Sequence, residues 1–265
     1  PSPLRERRID VALACALAIA AVVVIAVTAQ DLGFTRDEGY YFKAAELYWN
    51  WFKAPSLDPA VIDKWWGYNH EHPAILKSLF AISFGIADVL HLPVQVHNAI
   101  RFPAWLVAGG TVAVVYALTR SLLPRRAAIV ASLMWIAMPR VFWHMHLSCF
   151  DMGVAGAHAV LVLAYLRWRH TWRGALLVGV VFGLCAGVKH NVLPVPALLV
   201  LHWLLTEATA QKRTAPAIPL AFLAMAFVGP VVYVLHWPWL WPHPAERFAQ
   251  YVAYHLNHEN YPILY

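Results

Sequence analysis

The chain has 265 residues, of which 61% are hydrophobic and only 13% are charged, and its mean hydropathy is +0.56. Soluble domains carry about 25% charged residues, so this composition excludes an ordinary soluble protein and indicates a polytopic membrane protein. The net charge of +6 comes from short basic clusters between apolar segments. Such clusters are typical of membrane topology signals and argue against a nucleic-acid-binding surface. The three cysteines show no metal-binding spacing, and we predict neither a disulfide nor a zinc-thiolate site.

The first predicted element is a membrane-spanning helix from Ile9 to about Ala29, which follows the basic cluster Arg5, Arg7 and Arg8. A cleaved signal peptide is the alternative, because residues 27–29 resemble a cleavage site. The apolar run is longer than the ~7–15 residues of a signal-peptide core. We therefore predict an uncleaved first helix with a cytoplasmic N-terminus.

A long outer loop, residues 31–97, follows this helix. Residues 37–53 are predicted to form an amphipathic helix that lies along the membrane interface, since they are rich in aromatic side chains. Residues 73–91 are apolar enough for a helix, but Lys77 and Asp88 make them a poor span.

The basic clusters decide whether residues 73–91 cross the membrane. If these residues crossed, every basic cluster after the first would face the outside. If they form a helix that returns to the outer face, all four clusters face the cytoplasm. The positive-inside rule favours the second arrangement. The later clusters are Arg125/Arg126, Arg167/Arg169/Arg173 and Lys212/Arg213.

The remaining apolar segments predict six more spans, at about 98–121, 126–143, 152–167, 173–188, 192–206 and 216–236. The expected fold is an all-α polytopic membrane protein with about seven transmembrane helices. An outer segment, 237–265, closes the chain, and Ala245 to His258 within it is predicted to form a second interfacial helix. We treat residues 1–265 as one transmembrane module and expect it to be truncated at its C-terminal end.

This topology collects the chain's unusual polar residues on the outer face. They are Asp37, Glu38, His70, Glu71, His72, His144, His146, Asp151, Lys189, His190, His243, His255 and His258. Single residues have ordinary explanations, since Glu38 fits a capping box with Thr35, Asp151 fits a helix cap and Lys189 fits a cation at a helix end. Such explanations do not predict that the residues share one face.

Carboxylates, a lysine and histidines beside a bilayer suit transfer of a group from an anionic, lipid-borne donor. A carboxylate can serve as the general base of such a transfer. Cations or a metal ion can hold the phosphate leaving group. Because these groups must act together, we expect Asp37, Glu71 and Asp151 to line one outer-face cavity.

Several of these segments resemble motifs of the GT-C glycosyltransferases, especially the protein O-mannosyltransferases and the lipid A aminoarabinose transferases. Residues 36–41 resemble the Asp-Glu motif of their first outer loop, and residues 70–77 resemble their His-Pro-Pro-Leu-x-Lys segment. Residues 101–103 are similar to the opening of their next helix, and residues 150–152 to their second outer-loop aspartate. Residues 239–241 resemble the start of their later luminal loop. The likeness runs over nearly all 265 residues and implies a GT-C-like helical bundle.

The resemblance implies a membrane glycosyltransferase that uses a polyprenyl-phosphate sugar donor and an acceptor protein, lipid or glycan. The implied setting is the extracytoplasmic face of a multi-pass protein of the bacterial inner membrane. The implied catalytic residues are Asp37, Glu38 and Asp151. The implied substrate-binding residues are Glu71, His72, Lys77, Arg101, Lys189, His190 and His258. A divalent metal ion is the one cofactor considered, with Glu71 and His258 as its ligands.

The two adjacent acids are expected to have different tasks, because neighbouring side chains on a helix point about 100° apart. Thr35 lies three residues before Glu38, which makes Glu38 the capping-box acid and leaves Asp37 free to act as the base. As a cap alone, Glu38 would contribute about 1 kcal/mol or less to stability.

Two other functions stay open, a membrane transporter and a non-catalytic scaffold related to the transferases. The predicted membrane centres carry almost no charge, and the sequence shows no internal repeat or pair of broken helices. Both features argue against a transporter.

Overall fold

The computed structural model describes residues 3–29, 32–208 and 218–257. Within these residues all regular structure is helical, as predicted, and no strand is present. The helices are α1 Pro3–Thr28, α2 Arg36–Lys53, α3 Pro59–Trp66, α4 Ile75–Val89, α5 Val96–Leu122, α6 Arg125–Ala137, α7 Pro139–Met145, α8 Phe150–Trp168, α9 Trp172–Ala186, α10 Val195–Trp203, α11 Leu220–Leu235 and α12 Pro244–Leu256. Two 3-10 turns, His190–Val192 and Pro238–Leu240, and a π-helical turn, Leu204–Ala208, complete the description.

Apolar helices account for every predicted span. Helices α1, α5 and α8 are each long and apolar enough to cross a membrane. The bent pair α6 and α7 passes the same test as one unit, and shorter apolar segments cover Trp172–Ala186, His190–Thr206 and Leu220–Leu235. The chain is thus a multi-pass, all-α membrane protein.

The span predicted at 126–143 is not one straight helix. It is bent by 74° between α6 and α7. Met138 adopts an extended conformation (φ −68°, ψ 119°) at this bend. The cause is Pro139, because proline lacks an N–H group and disfavours helical geometry in the residue before it.

Helices α1 and α5 run antiparallel, and polar contacts fix both ends of the pair. At one end, Tyr116 Oη donates a 2.8 Å hydrogen bond to Asp10 of α1. At the other end, Arg101 Nη2 donates a 2.9 Å hydrogen bond to the carbonyl oxygen of Gly33, just after α1. The loop between the two helices therefore begins and ends at the same side of the bundle. A single crossing by residues 73–91 does not fit this arrangement, in agreement with the prediction.

The N-terminal basic cluster lies at the same side of the bundle as the start of α6. Arg125 Nη2 of α6 lies 2.6 Å from Glu6 Oε2, and Arg125 Nε lies 2.7 Å from Asp10 Oδ1. The two basic clusters therefore share one face. The fourth cluster, Lys212 and Arg213, lies outside the described residues.

Helix α2 packs on α3 and α4 through its apolar face. Tyr41, Ala44 and Tyr48 recur every three or four residues and are buried together. The ring of Tyr48 lies with its centroid 3.9 Å from that of Trp66 in α3. At Gly85 of α4, a Cβ atom would lie 2.3 Å from the ring of Trp49, so only glycine permits this approach of α2 and α4.

Helix α12 is tied back to the outer loop although it lies at the far end of the chain. Arg247 Nη2 lies 2.7 Å from Asp63 Oδ1 of α3, and Arg247 Nη1 donates a 2.6 Å hydrogen bond to the carbonyl oxygen of Trp239. The ring of His70 stacks on that of Trp239 at a centroid distance of 4.4 Å. These contacts place the start of α12 beside the outer loop that carries Glu71.

Candidate active site

A polar cavity of about 610 Å³ lies between the start of α2, the turn before α4, the segment after α9 and the end of α12. We call it the outer cavity. Its lining residues are Arg36, Asp37, Tyr40, Tyr41, Asn69, Glu71, His72, Lys189, His190, Tyr254 and His255. Five predicted site residues from three separate parts of the chain therefore meet here. They are Asp37, Glu71, His72, Lys189 and His190.

The neighbouring acids of α2 have opposite surroundings. Asp37 is exposed and lines the outer cavity. The Glu38 side chain is fully buried, and its Oε2 lies 2.6 Å from Nη2 of Arg101, which is equally buried. The Thr35 amide donates a 3.1 Å hydrogen bond to Glu38, which is the predicted capping contact. The first turn of α2 thus points one acid into the cavity and the other into the protein.

Glu38 and Arg101 act on each other rather than on the cavity. Arg101 Nε donates a 2.7 Å hydrogen bond to Glu38 Oε1, and the Ser148 amide donates a 3.0 Å bond to the same oxygen. Burial raises the pKa of Glu38, but the hydrogen bonds from Arg101, Ser148 and Thr35 outweigh burial and hold this pKa below its usual value. Neither Glu38 nor Arg101 lines the outer cavity, so the structure places both apart from the predicted substrate contacts.

One wall of the outer cavity is the turn that precedes α4. Glu71 lies in this turn, and its Oε1 accepts a 2.7 Å hydrogen bond from Nδ2 of Asn69. The ring of His72 packs 5.1 Å from that of Phe150. Burial, followed by the charges of Lys77 and Lys189, lowers the pKa of His72 to about 3. His72 is therefore neutral at physiological pH and adds no positive charge to the cavity.

The opposite wall comes from Lys189, His190 and helix α12. The ring centroid of His190 lies 4.2 Å from that of His255 in α12. Lys189 and Arg36 supply the lysine and arginine charges of the cavity lining. An anionic group entering the cavity would therefore meet these two cations, while Asp37 and Glu71 face the same space.

Lys77, predicted to bind substrate, does not reach the outer cavity. It is fully buried in α4, and its Nζ donates to the carbonyl oxygens of Asn69 and His72. The position of Lys77 on the inner side of the turn separates it from the space that a substrate would enter.

Asp151 lies beside the outer cavity and does not line it, contrary to the expectation that it shares a cavity with Asp37 and Glu71. It sits in the first turn of α8, where its Oδ2 is 3.1 Å from Nδ1 of His144. Burial raises the pKa of the Tyr41 hydroxyl, and the charges of Asp37 and Asp151 add to this effect. Asp151 is thus close enough to act on the lining electrostatically.

The predicted metal ligands are only partly described. His258 lies outside the described residues. In the part of the chain that the structure describes, no group of three or more His, Cys, Asp or Glu side chains could hold a metal ion. Glu71, the other expected ligand, is hydrogen-bonded to Asn69 instead. The metal ion stays a prediction.

The sequence analysis did not identify five of the lining residues, which are Arg36, Tyr40, Tyr41, Asn69 and Tyr254. Arg36 directly precedes Asp37, so the motif itself could have indicated it. Asn69 adopts a left-handed conformation (φ 54°), which asparagine tolerates better than most residues, and this preference is a usable signal. Tyr254 gave no local signal, because only the folding of α12 onto the outer loop brings it to the cavity.

The chain was compared with models of protein families. The family model for dolichyl-phosphate-mannose-protein mannosyltransferases covers residues 72–237. The match includes His72 and Lys189, and it begins after Asp37 and ends before α12. Comparisons with curated proteins and with solved structures give no match. Since the match spans more than half of the 265 residues and coincides with the apolar helical bundle, the chain belongs to the dolichyl-phosphate-mannose-protein mannosyltransferase family of membrane glycosyltransferases.

Proposed function

We propose that the chain transfers a sugar from a polyprenyl-phosphate donor to an acceptor at the extracytoplasmic face, with Asp37 as the general base. One observation carries this proposal. Asp37 lines the same cavity as Lys189, whereas the carboxylate of the adjacent Glu38 is paired with Arg101. Membership of the family supports glycosyl transfer as the reaction class. The cavity contains a carboxylate and two cations, which such a transfer requires.

The proposed reaction is a direct displacement. The acceptor nucleophile bonds to the anomeric carbon while Asp37 takes its proton. The bond from that carbon to the phosphate oxygen breaks, and the electron pair leaves with the polyprenyl phosphate. General-base assistance of this kind is typically worth ~10²–10⁴-fold. Lys189 and Arg36 would stabilise the charge that develops on the leaving phosphate.

An apolar groove supports a lipid-borne donor. It has a volume of about 320 Å³ and lies between α4, α5, α8 and α9. Leu76 and Val188 line it, and they lie close in sequence to His72 and Lys189 of the outer cavity. An isoprenoid chain in this groove would have its phosphate near Lys189. Hydrophobic burial would then hold the chain while the polar cavity holds the sugar.

The extracytoplasmic face is supported by the position of the basic clusters. Arg125 shares one side of the bundle with the N-terminal cluster, and Glu38 and Asp37 lie at the opposite end of α1 and α5. Because cytoplasmic loops carry an excess of lysine and arginine, the cavity is proposed to face outward.

The test is transfer of label from polyprenyl-phosphate mannose, chosen from the family description, in membranes that contain the native acceptors. Asp37→Asn should lower turnover by about 10²–10⁴-fold. Glu46→Gln is the matched control, since Glu46 lies on the same helix, outside the cavity lining, and pairs with Lys43 at the surface. Full transfer by Asp37→Asn would refute the assignment of the base. A folded wild-type protein that moves no label from the lipid donor would refute the donor.

A further inference from the structure

We propose that Lys77 is a positioning residue, whose buried amine holds the turn Asn69–His72 so that Glu71 faces the outer cavity. This inference rests on the proposed function, because Glu71 is taken to contact the substrates in that cavity. Its evidence is a chain of contacts that runs from α4 through the turn to Glu71.

The first link joins Lys77 to the turn. Its Nζ donates to the carbonyl oxygen of Asn69, to that of His72 at 2.8 Å and to Asn69 Oδ1 at 3.4 Å. A lysine amine has up to three hydrogens to donate, and the turn supplies three acceptors. The ring of Tyr48 lies 5.5 Å from Nζ, within the range of a cation–π contact.

The hydrogen-bond donors of the Lys77 amine are thus bonded to oxygen atoms of the turn and not to a carboxylate. Its side chain is fully buried, and within the described residues it forms no ion pair. Burying an amine that could otherwise reach water is costly unless its hydrogens are bonded. A lysine placed here only to fill space would be replaced at lower cost by an apolar side chain.

The second link joins Asn69 to Glu71. Asn69 has a φ of 54°, and its Nδ2 donates a 2.7 Å hydrogen bond to Glu71 Oε1. The amide of His72 donates a 3.3 Å hydrogen bond to the carbonyl oxygen of Asn69, the same atom that Lys77 contacts. Asn69 therefore connects the buried amine to the cavity carboxylate.

The charges of the two ends also influence each other. Burial lowers the pKa of Lys77 to about 7, and the charge of Glu71 opposes this shift. Removing the Glu71 charge should thus change the protonation of Lys77 as well as the cavity itself.

A double-mutant cycle separates positioning from general stabilisation. Lys77→Met keeps a similar side-chain length without the donors, and Glu71→Gln removes the carboxylate charge. Each change should lower kcat on the order of 10–100-fold, as expected when an orienting contact is lost. If Lys77 acts through Glu71, the kcat of the double variant should lie within about 2-fold of the kcat of the less active single variant. Effects that multiply in the double variant would overturn the proposal.

Hydrogen exchange tests the same inference without any transfer assay, so it stays informative if the proposed donor or base is wrong. Lys77→Met should speed amide exchange in residues 67–73 while α5 keeps its wild-type protection. Unchanged exchange in residues 67–73 would overturn the proposal. Lys43→Met is the control, because Lys43 is exposed on α2 and pairs with Glu46. It should change neither exchange nor kcat.

If Lys77→Met does not fold, Asn69→Gly tests the second link, because it keeps the backbone carbonyl oxygen that accepts from Lys77 and loses only the longer 3.4 Å bond from Lys77 to Asn69 Oδ1. Glycine keeps the left-handed backbone and removes the amide that contacts Glu71. Asn69→Gly should lower kcat in the same direction as Lys77→Met. A folded Asn69→Gly variant with wild-type kcat would show that this contact does not position Glu71.

Discussion

Arg101 and Glu38 form a fully buried ion pair, with Arg101 Nη2 at 2.6 Å from Glu38 Oε2 and Nε at 2.7 Å from Oε1. The pair joins the second span to the first turn of α2. It therefore fixes the helix that carries Asp37, although neither partner touches the outer cavity.

Removing one partner of this pair should be strongly destabilising. Glu38→Gln leaves a buried guanidinium without its counter-charge, and breaking a buried pair typically costs about 3–5 kcal/mol. This exceeds the ~1 kcal/mol expected for a capping residue alone. The free energy of unfolding in mixed micelles measures the loss. Lys43→Met, which breaks an exposed pair with Glu46, should change it by less than about 1 kcal/mol. Equal losses in the two variants would contradict the importance of burial.

The same pair predicts how stability depends on pH. The pKa of Glu38 in the folded protein lies below its usual value of 4.5. Its contribution is then complete above pH 4.5 and is lost as pH falls through the lower, folded pKa. The contribution of Glu38 to the free energy of unfolding should be constant above about pH 5 and should decrease at lower pH. The loss of unfolding free energy in acid should be smaller in Glu38→Gln than in the wild-type protein. An identical dependence on pH in the two proteins would contradict a contribution of the Glu38–Arg101 pair.

Lys189 should matter for donor affinity through its charge. His72 is neutral, so Lys189 and Arg36 carry the positive charge of the lining. Lys189→Gln should raise the KM for polyprenyl-phosphate mannose by about 10–100-fold, since a hydrogen bond to a charged group is worth about 1.5–3 kcal/mol. Lys189→Arg should keep most of the affinity. If neither Lys189→Gln nor Lys189→Arg changed the KM, Lys189 would be excluded from the phosphate site.

The topology can be tested by thiol labelling in a variant without the three native cysteines. A cysteine at Arg125 should stay unlabelled by an impermeant reagent added to intact cells. A cysteine at Leu57, which is 75% exposed in the outer loop, should react. Labelling at position 125 from outside would place the basic cluster on the outer face. The outer cavity, at the opposite end of the bundle, would then face the cytoplasm, and the proposed topology would be wrong.

The contact of α2 with α4 should tolerate no side chain at Gly85. Gly85→Ala would drive a methyl group into Trp49 and should cost roughly 1–3 kcal/mol. Gly39→Ala is the matched change on α2, where nothing lies within 4 Å of the new methyl group. It should stabilise the helix by about 0.5–1 kcal/mol. The free energy of unfolding of both variants measures this difference, and an equal change in the two would contradict the close packing of α2 on α4.

Local patterns are sufficient to predict much of this fold. The aromatic, amphipathic segment 37–53 predicts a helix that differs from α2, Arg36–Lys53, by one residue at its start. Apolar runs give the spans. Helix α3 was missed although Asp58 caps it, with a 2.8 Å hydrogen bond from the Ala60 amide, and Pro59 occupies its first position. Both features have a local signal, because Pro139 likewise marks the 74° bend at Met138.

The candidate site is less predictable than the fold, because membrane topology places residues on one face and does not give the direction of their side chains. Topology placed Asp37, Glu71 and Lys189 on one face, and the structure brings them to one cavity. It could not show that Arg101 turns toward Glu38 or that Lys77 turns inward beneath Asn69. Both facts depend on contacts between residues far apart in sequence or on opposite sides of a turn.

The tie between α12 and the outer loop has a consequence for the order of synthesis. Tyr254 and His255 complete a cavity whose other walls come from residues 36–72 and from Lys189 and His190. A growing chain can insert its apolar helices one after another, but the cavity lacks a wall until Arg247 has met Asp63. The nascent protein is therefore expected to remain inactive until α12 has been synthesised and has docked on the outer loop.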